Sequence, residues 1–442
     1  MIVARPHVLL LALAACDPGL PFDAASPGLA EPAPDVRVAI RSCPVESKPV
    51  HVHFDPRFEL GEAGGVTWLY GQSGGDDVLA HLTASGSLAF HPVPLSDVQA
   101  GAVDGPRIWL YAPGTAAGGQ ARWTSVDVTD PERPISGDVA ALTVGARSDV
   151  AAALAVGARR ALVVAGAPDD RELILLDTAT GAAVGPPYAL GKRFEPVRAI
   201  CDDDHCAVVA TTDNAGGAAP RLVVIRVLAD GAREEEVLAT DWVGQSSAAV
   251  RDDQVILAWS DHAGLKLRVL DRGGHPIGPA VPVLADRKSW VFDSALLHAG
   301  GSVMLATHEH LGGWSVAPIG PHTVPGPRRA LPGADRRFLR GAPLADGLAW
   351  INLDGVIAPA ADEGIGVMME TRSAQAFGGF LPITGEANLP IDLGNYGCGG
   401  QGGFEAHVLT RPGAAGALLV PRGDAVDASE AVFALLRAPC LP

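Results

Sequence analysis

Seven times along the chain a short run is apolar at consecutive positions, and the copies recur at intervals that are mostly in the forties. Aligned on Tyr70, Tyr111, Ala165, Ala210, Ala258, Ala306 and Asn352, successive copies lie 41, 54, 45, 48, 48 and 46 residues apart. One position earlier stand Leu69, Leu110, Val164, Val209, Leu257, Leu305 and Ile351. Two positions earlier stand Trp68, Trp109, Val163, Val208, Ile256, Met304 and Trp350. Adjacent residues of a strand face opposite sides. A strand that is apolar at both is covered on both faces, as in sheets packed between sheets.

The copy at 255–284 shows the rest of the unit. Val255 to Trp259 form the apolar run, which Ser260-Asp261-His262-Ala263-Gly264 ends with turn chemistry. Leu265, Leu267 and Val269 then alternate with Lys266 and Arg268, the period of a strand with one wetter face. After Asp271-Arg272-Gly273-Gly274 the chain returns as an edge-like strand whose prolines stand where ladder donors can be spared. Short strands repeating with this period are the signature of propeller blades. The expected fold class is therefore all-β, a β-propeller of seven blades, with eight as the alternative. The units run 57–100, 101–145, 150–192, 196–240, 246–286, 291–332 and 338–385. The tail, 386–442, offers strands at 404–410, 417–421 and 431–437. They either build an eighth blade or finish the seventh together with an N-terminal strand, for which 35–40 is the candidate.

The N-terminus reads as a targeting segment. Arg5 supplies the positive charge, and 8–15 is an apolar stretch too short to span a bilayer. It ends in Leu13-Ala14-Ala15-Cys16, which resembles the lipobox of bacterial lipoproteins in every position. That resemblance implies cleavage before Cys16, a diacylglycerol thioether on its sulfur and acylation of the new amine. Two or three acyl chains hold a protein firmly on a membrane, where one alone is marginal. The implied location is the periplasm or cell surface of a bacterium, anchored by lipid. Pro18, Pro21, Pro27, Pro32 and Pro34 then punctuate a tether that cannot bury a core. About 20 residues of it at roughly 3.1 Å each reach on the order of 60 Å. The domain plan is a signal peptide at 1–15, the lipidated cysteine and tether at 16–36, and one propeller at 37–442.

Composition agrees and narrows the partners. The 53 glycines and 36 prolines suit a chain of many turns. The net charge of −17, or −18 without the leader's Arg5, disfavours nucleic acid and anionic membrane surfaces as electrostatic partners.

Cysteine usage fits an exported protein. Cys201 and Cys206 bracket Asp202-Asp203-Asp204-His205 just before the fourth apolar run, where a bond would pin a hairpin. This spacing resembles the blade hairpins of bacterial propeller-repeat lipoproteins; the resemblance implies fold and export and no activity. A zinc site at the same pair lacks a second pair of cysteines. Cys43 lies where the fold begins and Cys440 where it ends, so a bond between them would clasp the ring and leave Cys398 alone. Cys43–Cys398 and Cys398–Cys440 compete with that pairing.

Several motifs carry the look of catalysis. Gly71-Gln72-Ser73-Gly74-Gly75 matches a nucleophile elbow, but no alternating strand–helix pattern surrounds it, and a turn is expected. Gly397 to Gly402 matches a dinucleotide fingerprint with no helix to receive a phosphate. His51 with His53, and His308 with His310, stand two apart, a spacing that metals can use on a strand. Three places past the alignment position stand Asp213, Asp261 and Glu309; four past it stand Asp169, Asn214, His262 and His310. All end the same strand of their units and should gather at one mouth of the ring. Asp213, Asp261, His262, Glu309 and His310 are therefore the candidate ligand or metal face. No cofactor is expected beyond a divalent cation there. The expected role is a binding or scaffolding module for an unknown protein or glycan ligand. The alternative is an extracytoplasmic hydrolase, lyase or metal-assisted lactonase working at that mouth.

Overall fold

The computed structural model describes residues 50–435 except 115–119, 143–150, 168, 191–192, 215–217, 229, 241–245, 262–263, 285–290, 300–301, 310–312, 321–324, 331–337, 345–346, 360–368, 383–390, 398–403 and 422–429. Cys16, the tether, Cys43, Cys398 and Cys440 lie outside the described residues, as does the strand expected at 35–40.

Every element among the described residues is a strand. The strands associate into eight antiparallel sheets, each a meander in chain order apart from one strand of the last and from the second, where Ile135–Ser136 and Ala140–Ala141 both pair with Arg122–Asp127. The leading strands of the sheets are Asp55–Ala63, Ala100–Asp104, Ala151–Val156, Phe194–Cys201, Ser246–Arg251, Val291–Ala299, Phe338–Leu344 and Phe404–Arg411. Each adjoins the leading strand of the sheet before it. Phe404–Arg411 also lies against Val66–Ser73 and Asp76–Leu82 of the first sheet, which closes the ring. The fold is a β-propeller with the leading strands innermost.

The tail makes a sheet of its own, against the preferred reading of seven units. Phe404–Arg411, Ala414–Pro421 and Glu430–Leu435 pair in sequence, and Val50–His53 adds the outermost strand. The register of that closing pair runs from Val50 against Phe433 to His53 against Glu430. The seventh sheet reaches further than expected, because its fourth strand is Ile391–Gly397, which the sequence reading assigned to the tail. Glycines at 394 and 397 had hidden it, since glycine weakens a strand pattern.

The consecutive apolar residues do face opposite ways. Trp68 and Tyr70 join Ile108, Leu110 and Val126 in the core between the first and second sheets. Leu69 points the other way, to Leu409, Leu418 and Phe433 of the last sheet. The alignment slips in two units, however. Tyr111 and Ala258 face the following sheet, whereas Ala165 and Ala210 face the preceding one. With a side-chain period of two, that reversal is a slip of one residue. A pattern apolar at every position could not reveal it.

Cys201 and Cys206 are bonded, with sulfurs 2.01 Å and Cα atoms 4.1 Å apart, and they stand directly opposite each other in the ladder. Asp202 shapes the turn between them by accepting the backbone N–H groups of Asp204 at 2.9 Å and His205 at 2.6 Å. Both thiols are consumed, so the pair holds no zinc. The loop is short, and the bond stabilises by about 2 kcal/mol in the chain-entropy estimate. The double substitution Cys201→Ser, Cys206→Ser should lower unfolding stability by about that amount. Denaturant titration of both chains checks it, and equal midpoints would refute it.

The elbow-like motif is also structural. Gly71 to Ser73 continue the strand Val66–Ser73, and only Gly74-Gly75 form the turn. Both turn residues have positive φ, 61° and 93°, as a two-residue hairpin requires. The Ser73 hydroxyl donates to the His53 carbonyl at 2.8 Å. Gly71 has no room for a side chain: a Cβ there would lie 2.3 Å from the Asp55 carbonyl oxygen and 2.7 Å from Phe54. Gly71→Ala should therefore destabilise by roughly 1–3 kcal/mol, while Ser73→Ala costs about 1 kcal/mol or less. Thermal melts of the two variants should differ by several degrees; a Ser73 variant as unstable as the Gly71 one would overturn this assignment.

Candidate functional site

Innermost strands meet water along the central channel and, at their ends, on the two faces of the ring, so exposed residues in mid-strand line the channel. The leading strand of the first sheet exposes Arg57 and Glu59, and that of the fourth exposes Arg198. Other accessible positions on these strands include the small residues Gly101 and Ala102 in the second sheet, Ala152 in the third and Ser247 in the fifth, with Glu62, Asp104 and Arg251 as charged ones towards the strand ends. Bulges accompany the mid-strand charges. Arg57 is skipped between the pairs of Pro56 and Phe58, and Val197 is skipped between those of Pro196 and Arg198. A bulge bends its strand and re-aims the side chains beside it.

Arg198 is water-accessible and yet deeply enclosed. Enclosure holds its guanidinium below the ordinary arginine range, and the charge of Glu59 opposes that shift. Glu59 belongs to a sheet three places away around the ring, so the two act on each other across the channel. Neither residue was singled out from sequence. The available signal was weak: a charge on the strand just before an apolar run, which the units with Asp293 and Arg340 carry as well.

The expected mouth residues are placed as follows. Asp261 and Glu309 end the second strands of the fifth and sixth sheets, and Asp213 is next to last in the second strand of the fourth. These strands run the same way, so the three backbones share one end of the ring. The strand-end place in the fourth sheet belongs to Asn214, which pairs with Ala218 as Asp261 pairs with Gly264. Asp213 is the extra residue of a bulge there. His262 and His310 lie outside the described residues. The Asp261 carboxylate is only 5% exposed and is ion-paired with Lys266 across its own hairpin. A carboxylate so engaged is poorly disposed to act as an acid or base. His308 packs against Trp314, with ring centroids 5.3 Å apart. His51 and His53 are exposed on the strand that closes the ring. Among the described residues no three His, Cys, Asp or Glu side chains converge as a metal group.

A second constellation, unsuspected from sequence, joins His81 and His91 of the first sheet. His81 is fully buried beneath Trp68, their ring centroids 4.5 Å apart. Its Nδ1 lies 3.0 Å from the Leu82 carbonyl oxygen, which can only accept, so Nδ1 carries the proton. Nε2 of His81 is then an acceptor and takes the Nε2–H of His91 at 3.0 Å. The rings are within 8° of parallel. Beside them Glu132, from the second sheet, accepts Ala84 N–H at 3.0 Å and Arg411 of the last sheet at 2.9 Å. Arg411 also donates to the Leu82 carbonyl at 3.2 Å. This knot ties three sheets together where the ring closes.

No family model matches the chain, and no curated protein matches it by sequence. Solved structures similar to it include a prolyl endopeptidase, at 11% identity and TM-score 0.45, covering 84% of this chain and 55% of that one. This chain thus spans about half the length of that enzyme. The β-propeller domain of the Trilobed protease from Pyrococcus furiosus matches at 11% identity and TM-score 0.42, covering 75% of this chain and 97% of that one. The WD40 domain of SCAP from fission yeast matches at 11% identity and TM-score 0.46, covering 89% and 97%. Similarity at this level says nothing of what the present chain binds.

The histidine pair makes stability depend on pH. Burial holds His81 below the usual imidazole range, partly offset by its bond to the Leu82 carbonyl, and burial also lowers His91. The native state therefore prefers neutral rings, and the unfolded chain takes up protons first as pH falls through about 6.5. The stability contributed by the pair is complete above that value and is lost below it. Melting temperature should fall between about pH 7 and pH 5, and less steeply in His81→Gln, which keeps hydrogen bonding without titrating. Parallel profiles for the two chains would refute the assignment.

Proposed function

We propose that this protein is a membrane-anchored extracytoplasmic lipoprotein whose propeller is a binding module, with the ligand taken in the central channel. The observation that carries the binding role is the channel wall. Small residues such as Gly101, Ala102, Ala152 and Ser247 leave space along it, and Glu59 and Arg198 place charges of opposite sign on it. Ligand sites combine a shaped concavity with a few placed polar groups in this way. A closed ring of sheets packed on both faces supplies a rigid frame for such groups.

The anchor reading is supported by Leu13-Ala14-Ala15-Cys16 and by the proline-punctuated tether after it. The hairpin disulfide between Cys201 and Cys206 agrees with an oxidising compartment. Cys16→Ser should move the full chain from the membrane fraction to the soluble fraction on expression in a bacterial host. Retention of the variant in membranes after a carbonate wash would overturn the anchor.

A further inference from the structure

We propose that the hydrogen bond between His81 and His91 is an acid-released latch, which two added protons break to free the outer strand Leu88–Pro92 of the first sheet. Such a latch is independent of the binding role proposed above.

The bond joins a fixed partner to a movable one. His81 stands on Asp76–Leu82, is fully buried, and is held at Nδ1 by the Leu82 carbonyl. His91 is half-buried on Leu88–Pro92, the outermost strand of its sheet. That strand is held by its ladder with Asp76–Leu82, from Leu82 against Leu88 to Val78 against Pro92. Its side chains alternate between two faces. Leu88 and Phe90 pack against the core shared by the first and last sheets, and the Phe90 ring lies 5.2 Å from that of Phe54. His91 is on the opposite face, stacked on His81 and 6.0 Å from Trp68 between ring centroids. Whatever loosens His91 therefore loosens packing where the ring closes.

Counting protons gives the trigger. In the neutral pair Nδ1 of His81 and Nε2 of His91 carry the protons, and Nε2 of His81 accepts. A first added proton goes to Nδ1 of His91, the pair's remaining basic nitrogen, and leaves the bond intact. A second has only Nε2 of His81 to occupy. Two N–H groups would then face each other across 3.0 Å, each on a charged ring. The charged groups around the pair are Glu132 from the second sheet and Arg411 from the last. Glu132 favours added charge on both rings, and Arg411 opposes it at His81. Glu132 is itself bonded to Arg411 at 2.9 Å, so one shared carboxylate cannot balance two imidazoliums. Burial holds both rings below the usual imidazole range, so the second proton arrives below about pH 6.5. The strand is latched above that pH and released below it. His81 is enclosed, so His91 is the ring that swings away.

The test is hydrogen exchange read by peptide mass spectrometry on the detergent-solubilised full chain. It compares about pH 7.5 with about pH 5, after correction for the intrinsic pH dependence of exchange. Peptides covering Leu88–Pro92 should lose protection on the order of tenfold at the lower pH, while those covering Gln254–Asp261 keep theirs. His91→Gln still donates to His81, and can turn its carbonyl to accept once His81 is protonated, so its strand should stay protected at both values. His81→Gln leaves one histidine and no second proton, and should hold the strand as well. Melting curves show which variants are folded. The proposal is overturned if the parent's strand is equally protected at both values, or if Gln254–Asp261 loses protection together with it. It is equally overturned if a folded His91→Gln or His81→Gln releases the strand as the parent does. Should neither variant fold, the parent's comparison decides alone.

Discussion

Sheets that are apolar on both faces cannot stand at the end of a row. Each must be covered by a neighbour on either side, and a ring is the arrangement in which none is left over. The joint between the first and last sheets is therefore the contact on which the rest depends. It is built three ways. Phe54, Leu69 and Leu82 meet Leu418, Val420 and Phe433 in a shared core. Thr67 and Thr410, both buried, hydrogen-bond to each other at 2.6 Å. Val50–His53 pairs with Glu430–Leu435, so that strands from the two ends of the described chain complete one sheet.

The two edges of each sheet are treated differently. Outer strands risk pairing with other chains. Several are only two residues long, as at Tyr188–Ala189 and Arg329–Ala330. The longer Arg233–Ala239 carries Glu234, Glu235 and Glu236, two of which are drawn onto Arg226. Inner strands face a confined volume, where a charge is expensive unless a partner or ligand compensates it. Glu59 and Arg198 are charges of opposite sign on two such strands three sheets apart.

The polar features elsewhere mostly hold the ring together. Asp261 is tied to Lys266, Glu132 bridges three sheets through Ala84 and Arg411, and the Ser73 hydroxyl caps the His53 carbonyl. Residue types familiar from catalysis thus serve closure and turns. The same chemistry that makes a serine or carboxylate reactive also makes it a good partner for exposed backbone groups at hairpin ends.

Periodicity alone determined that this chain stacks short strands in repeated units. Burial of Leu69 on one side and Tyr70 on the other is written in their adjacency, and the Cys201–Cys206 hairpin was legible in its spacing. The candidate face was less so, because a strand apolar at every position conceals which way each residue points. That is why the alignment slipped by one at Ala165 and Ala210, and why Asn214 rather than Asp213 stands beside Asp261. Only the tertiary structure decided that the tail is a separate sheet, that His81 and His91 meet, and that Glu59 faces Arg198. The tail's sheet and the Glu59–Arg198 relation join strands distant in the chain, and local sequence patterns carry no record of such neighbours; the histidine contact lies within one hairpin and depends on the packing beneath Trp68.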